Sequence, residues 1–175
     1  MEWARTRIST TIRTIYNQCT PGVPFAVINS PSDPWPKTYL RKDNAQLPPI
    51  KNGYFFKGYQ LSGESRIPTF NYNFGQLKII DKPIPKGAAD SSEASLIRTI
   101  TLSGENKSNL YFRAAIGESI ELVEENTFLI NDLEVINLKS NEKPVLRDIG
   151  SNKELLVPIK FINKSATITQ TISWQ

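Results

Sequence analysis

The chain has no histidine among its 175 residues, one cysteine, one methionine, and no apolar run near the roughly 20 residues that a membrane-crossing helix needs. Each absence removes a class of chemistry. Imidazole supplies most proton shuttles and most zinc, copper and haem ligation. Without it, a Ser-His-Asp triad, a Cys-His dyad, an HExxH zinc site and CxxCH haem attachment cannot form within this chain. Cys19 stands alone, which excludes an internal disulfide and a cysteine cluster for zinc or iron–sulfur, and no histidine exists to activate it as a nucleophile. It reads as an ordinary thiol. What remains for catalysis is carboxylates, lysine, tyrosine or oxygen-ligated metals.

Helix signals are also missing. No segment sustains apolar residues at spacings of three and four with capping residues at its ends, so helix content should be very low. The start, MEWARTRIST, lacks the basic head, apolar middle and small-residue cleavage site of a secretory signal. That leaves a cytosolic protein or a piece of a longer exported chain.

Of what is present, charge comes first. The net charge is +4, but Lys and Arg are scattered and often sit beside acids, as in Glu64-Ser65-Arg66, Arg147-Asp148 and Lys153-Glu154. This reads as a mixed solvated surface rather than a phosphate-binding stripe, and no nucleic-acid partner is expected. With 39% apolar residues and 175 positions, one hydrophobic core is expected, without metal or disulfide support.

The strongest pattern runs from Tyr54 to Ile80, YFFKGYQLSGESRIPTFNYNFGQLKII. Pro68, Phe70, Tyr72 and Phe74 alternate with Ile67, Thr69, Asn71 and Asn73, as expected for strands of an antiparallel meander with one wet face. Upstream, residues 1–20 are read as an extension whose ISTTIRTIY offers a weak strand, and Val23 to Asn29 as a short buried strand. The proline-rich stretch that follows is read as loop or extended edge, because proline lacks the amide a sheet ladder needs, with Trp35, Tyr39 and Leu40 available to pin it. Further strands are expected at Leu96 to Leu102 and Leu110 to Ile116, paired as a hairpin, then at Ser119 to Val123, Thr127 to Ile130 and Leu133 to Leu138. Glu154 to Phe161 and Ala166 to Trp174 are expected to form a last pair around Asn163-Lys164. Ten or more short strands predict an all-β protein, an antiparallel β-sandwich with very little helix spanning residues 21–175, with a barrel as the second choice.

Five residues are candidate ligand contacts. Trp35, held between Pro34 and Pro36, is either a platform for a flat ligand or a plug that fastens its loop to the sandwich, the plug being favoured by the area its indole can bury. Tyr59 is a candidate rim hydroxyl and Tyr39, on the proline-rich loop, a candidate to join the same cleft, while most of the Tyr54 to Phe74 aromatics are expected in the core. Arg98 and Arg113 lie mid-strand and are expected on the wet face; if both pointed the same way on paired strands they would form a bidentate anion grip. Histidine-free catalysis would fall to paired carboxylates, as in glycoside hydrolysis, with Asp33, Glu64, Asp81, Glu118, Glu121, Asp132 and Asp148 available. Nearly all of these acids sit in turn-like sequence, where acids are common anyway. Glu124, Glu125, Asn126 and Asp132 could offer oxygen ligands to calcium, but without EF-hand spacing. No metal site, catalytic residue or cofactor is assigned.

One resemblance covers about Pro21 to Trp174. The succession Val23-Pro24-Phe25-Ala26-Val27, Pro34-Trp35-Pro36, Phe56-Lys57-Gly58-Tyr59, Pro68-Thr69-Phe70-Asn71-Tyr72, Leu110-Tyr111-Phe112-Arg113-Ala114-Ala115 and Lys153-Glu154-Leu155-Leu156-Val157-Pro158, before a terminal Trp174, resembles an uncharacterised domain. That domain occurs in large exported proteins of planctomycetes and related bacteria, beside c-type cytochrome and sugar-dehydrogenase-like or propeller modules. The resemblance implies a periplasmic or extracellular accessory module, part of a longer exported chain, that binds carbohydrate or docks cytochrome or dehydrogenase modules. It supplies no catalytic residues. The expectation is therefore a non-catalytic carbohydrate-binding or docking domain, with a carbohydrate-active enzyme using paired carboxylates as the alternative.

Overall fold

The computed structural model describes residues 23–36, 53–63, 66–87 and 94–174. The N-terminal extension, Cys19, Tyr39, Leu40 and Glu64 lie outside the described residues. Two antiparallel sheets pack face to face as a β-sandwich, and no described residue is helical. Nothing described forms a helix long and apolar enough to cross a membrane.

In chain order the strands are β1 (Phe25–Val27), β2 (Tyr54–Ser62), β3 (Ile67–Phe74), β4 (Leu77–Lys86), β5 (Ser95–Ser103) and β6 (Leu110–Gly117). They continue as β7 (Ile120–Glu124), β8 (Thr127–Ile130), β9 (Glu134–Lys139), β10 (Val145–Ile149), β11 (Asn152–Pro158) and β12 (Ser165–Trp174). The smaller sheet has the order β1-β6-β11-β10, and the larger one β2-β3-β4-β5-β12-β9-β8-β7.

The meander expected from Tyr54 to Ile80 forms as β2, β3 and β4. Alternation on β4 puts Leu77 and Ile79 in the core and Lys78 and Ile80 outside, and the same period on β12 buries Ala166, Ile168 and Ile172. From the small sheet Phe25, Leu110, Phe112, Leu155 and Val157 complete one cluster with these residues. Each such side chain, fully withdrawn from water, contributes about 1.5–3 kcal/mol.

Turn chemistry sets the register between strands. Asn131 and Asp132 both have positive φ, 49° and 56°, the angles of a tight turn that the Leu133 N–H closes by donating to the Ile130 carbonyl at 3.1 Å, and Ile130 then pairs with Glu134. Asn163 and Lys164 repeat this at 52° and 62°, closed by reciprocal backbone bonds between Ile162 and Ser165.

Two expected pairings do not form. β5 and β6 are not a hairpin: β5 pairs with β4 and β12 in the large sheet, while β6 pairs with β1 and β11 in the small one. Likewise β11 and β12 flank the Asn163-Lys164 turn but belong to different sheets. In both cases each strand carries a mostly apolar face, and placing those faces opposite one another buries both, which side-by-side pairing would not. β10, VLRDI, was not anticipated; its alternation is weak because it is an edge strand with half-exposed residues.

Candidate functional site

Two strand irregularities decide which side chains meet. On β2 the register shifts between Phe56 and Gly58, so that Phe56 pairs with Tyr72 and Tyr59 with Phe70. Residues 56 and 59 would face opposite sides of a regular strand; the extra residue, Lys57, brings both rings to one face. Gly58 makes the bulge with φ of 118°, a conformation that side chains rarely adopt.

The outcome is a ladder of rings. Phe112 lies 5.2 Å from Phe25, Phe25 6.1 Å from Tyr54, and Tyr54 stacks on Tyr72 at 4.8 Å, measured between ring centroids. Phe56 then lies 5.4 Å from Tyr72 and 6.5 Å from Phe70, and Tyr59 ends the series 6.1 Å from Phe70. Exposure grows along it from Phe112, fully buried, to Phe56 at 57% and Tyr59 at 59%. The gradient has a plain cause. The larger sheet is twice as wide as the smaller, cover from the small sheet reaches β2 through the Phe25–Tyr54 contact, and Phe56, Phe70 and Tyr59 extend beyond it. The expectation that most of these aromatics are core is therefore corrected: Phe55, Phe56 and Tyr59 are exposed, and Phe70 and Tyr72 are half-buried.

A polar chain runs beside the ladder. Arg98 grips Asp81 through both carboxylate oxygens, Nε to Oδ1 at 3.0 Å and to Oδ2 at 2.8 Å, with Nη2 to Oδ2 at 2.6 Å. Its Nη1 donates to Gln170 Oε1 at 3.4 Å, and the buried Gln170 amide donates to the Ala114 carbonyl at 3.0 Å. The guanidinium carbon lies 5.9 Å from the Phe112 ring centre. Asp81 is the cross-strand neighbour of Phe70, so the ion pair stands against the half-buried part of the ladder. Burial, then Tyr72, pushes the Tyr54 phenol well above its ordinary range, so it remains a neutral donor.

Arg98 thus contradicts its expected wet-face position. It shares parity with Leu96, Ile100 and Leu102, whereas Ile97 alternates with the hydroxyl residues Thr99 and Thr101 on the other side. A guanidinium can occupy the inner face because Asp81 and Gln170 meet its donors there.

Arg113 is also buried rather than wet, but in the other sheet and on its outward face. Its Nη1 donates to Glu154 Oε1 at 2.7 Å, and Arg147 holds the second oxygen through Nε at 2.8 Å and through Nη2. Arg147 Nη1 also donates to the carbonyls of Pro31, at 2.6 Å, and Asp33, which ties the proline-rich loop to β10. Trp35 donates its indole N–H to the Val23 carbonyl at 3.1 Å and packs with Ala26, Ile28, Tyr111 and Leu156, while the Arg113 guanidinium carbon lies 4.7 Å from its ring centre. Trp35 is accordingly a plug and not a platform.

The expected ligand residues therefore divide. Tyr59 belongs to the large sheet's inward face at its overhanging edge, Arg98 to the same face further in on β5 against Phe112, Trp35 and Arg113 to the closed cluster outside the small sheet, and no joint Arg98–Arg113 grip exists. Phe56 joins Tyr59 in the open group, while the buried Asp81 stays with Arg98. Asp81 could have been placed from its parity with Leu77 and Ile79; the shared face of Phe56 and Tyr59 could not, because it depends on the bulge. Of the buried carboxylates, Asp81 and Glu154 are held by arginines, while Glu134 accepts from the Trp174 indole and its Oε1 is buried without a hydrogen-bond partner among the described residues. No group of three or more His, Cys, Asp or Glu side chains suited to a metal ion occurs among the described residues. No protein-family model, curated protein or solved structure matches the chain.

Proposed function

We propose that this domain is a non-catalytic carbohydrate-binding module whose contact surface is the overhanging aromatic edge of the large sheet. The observation that carries the reading is the exposure of Phe56 and Tyr59, held on one face by the bulge at Lys57-Gly58 and backed by the half-buried rings of Phe70 and Tyr72. The C–H face of a pyranose stacks on such rings, and a run of rings suits consecutive sugars of a chain. The surface is firm, since the rings are propped on each other and on the core, which lowers the ordering cost of binding. At the inner end Arg98 and Asp81 are engaged with one another, which holds the half-buried part of the ladder in place and leaves the exposed rings to make the contact.

The paired-carboxylate alternative draws no support from Asp81 or Glu154, whose oxygens are engaged by arginine. The resemblance to exported planctomycete proteins supports an extracytoplasmic setting beside cytochrome and sugar-dehydrogenase-like modules, where a glycan-holding surface would keep substrate near its oxidant.

Titration calorimetry against a panel of soluble oligosaccharides tests the reading. The expected result is binding to at least one neutral glycan, weakened about tenfold or more by Tyr59→Ala, which is about 1.4 kcal/mol. No heat with any glycan would refute it.

A further inference from the structure

Lysines that look scattered along the chain are gathered by the fold. On the outer face of the large sheet, strand alternation sets Lys78, Lys82 and Lys86 in line on β4, and Lys139 on β9 faces the same way; all four are exposed. None enters an ion pair among the described residues. Between them the register pairs Ser103 with Ser165, Thr101 with Thr167, Thr99 with Thr169, Ile97 with Thr171 and Ser95 with Ser173. Nine of these ten positions carry a hydroxyl. From β3 to β9 the outer-facing positions hold no acid; Thr69, Asn71, Asn73 and Asn137 are the other polar groups, and Ile80 and Ile84 stand between the β4 lysines.

The spacing of this charge is sparse. Successive lysines on β4 are four residues apart, about 13 Å, and Lys82 and Lys139 lie in one cross-strand row separated by three ladders, about 14 Å. A nucleic-acid backbone, with a charge every ~1.7 Å of duplex, is met by dense Arg and Lys clusters, and single strands by exposed rings; the hydroxyl field between these lysines has neither. Widely spaced cations, with hydroxyl rows between β4 and β9 and isoleucine faces between the lysines of β4, fit a chain with one anionic group per sugar or two, neutral hydroxyls between and C–H faces to lie on the isoleucines.

We propose that this outer face is a second binding surface, specific for an acidic polysaccharide bearing carboxylate or sulfate groups. It lies on the opposite side of the sheet from the aromatic edge and stands whether or not that edge binds a glycan.

Affinity chromatography of the whole chain on immobilised polygalacturonate, chondroitin sulfate and neutral dextran, with salt elution, tests it. Retention on one or both acidic columns and none on dextran is expected, the stronger column naming carboxylate or sulfate as the preferred group. The combined Lys78→Gln, Lys82→Gln and Lys139→Gln variant should bind at least tenfold more weakly with an unchanged melting temperature, Thr101→Val with Thr169→Val several-fold more weakly, and Phe56→Ala with Tyr59→Ala as the parent does. Passage of the parent through both acidic columns, or undiminished retention of the lysine variant, would overturn the proposal. Equal retention on duplex DNA or anionic vesicles would do the same, since it would mean an unselective cationic face.

Discussion

At Trp35 an arginine covers the ring, a carboxylate holds that arginine, and a second arginine holds the carboxylate and the loop that brought the tryptophan there. At Phe56 and Tyr59 the same ingredients stand apart: Arg98 is engaged with Asp81 and Gln170, and the rings beyond it face solvent. Both regions combine aromatic area with guanidinium and carboxylate. They differ in whether described chain covers them, and that difference separates a device that fastens a loop from a surface that can take a ligand.

Removing Glu154 should break the closed region most severely. Glu154→Ala leaves Arg113 and Arg147 facing one another with little water, and the loss of an ion-pair partner at such a site costs about 3–5 kcal/mol. Chemical denaturation should show this as a large fall in midpoint, whereas a fall under about 1 kcal/mol would show the cluster to be loosely held.

The open region should respond to its bulge. Gly58→Ala has room for the added methyl, so its cost is backbone strain alone, about 1–2 kcal/mol. Because the bulge aligns Phe56 with Tyr59, the same substitution should also weaken glycan binding. Lost stability with full binding would separate the bulge from the platform.

The smallest effect concerns pH. Burial raises the Glu134 carboxyl above its ordinary range, partly offset by its bond from Trp174. A raised folded-state value means that the contribution to stability is present below the ordinary carboxylate range and is lost as pH rises through the raised value. Stability should therefore increase as pH falls from neutral toward that range, and Glu134→Gln should flatten this part of the profile. An identical slope in the variant would assign the pH dependence to other groups.

How much of this was legible in the sequence follows from the range of the interactions. Tyr54 to Ile80 announced its meander because the alternation and the turn residues are local. Thr127 to Leu138 did so for the same reason. The sheet assignment of β5, β6, β11 and β12 was not legible, since a turn between two apolar-faced strands is compatible with a hairpin or with a crossing between sheets, and only the global core decides. Arg98 and Asp81 were half-legible, each sharing the apolar parity of its strand. Arg147 and Glu154 face one another across the short β10–β11 hairpin, but Arg113 reaches them from 41 residues away, and no local pattern marks that meeting. The plug role of Trp35 followed from the area an indole can bury, but Arg113 as its cover did not.

The most direct test is one titration of the parent, of Phe56→Ala with Tyr59→Ala, and of Trp35→Ala against the same bound oligosaccharide, with the melting temperature measured in parallel. The account predicts that the double variant loses about 1–2 kcal/mol of stability through its ring contacts, stays folded, and loses binding. Trp35→Ala should lose about 2 kcal/mol, less than a fully buried indole would, and bind as before. Full binding by the double variant, or lost binding by a still-folded Trp35→Ala protein, would contradict it.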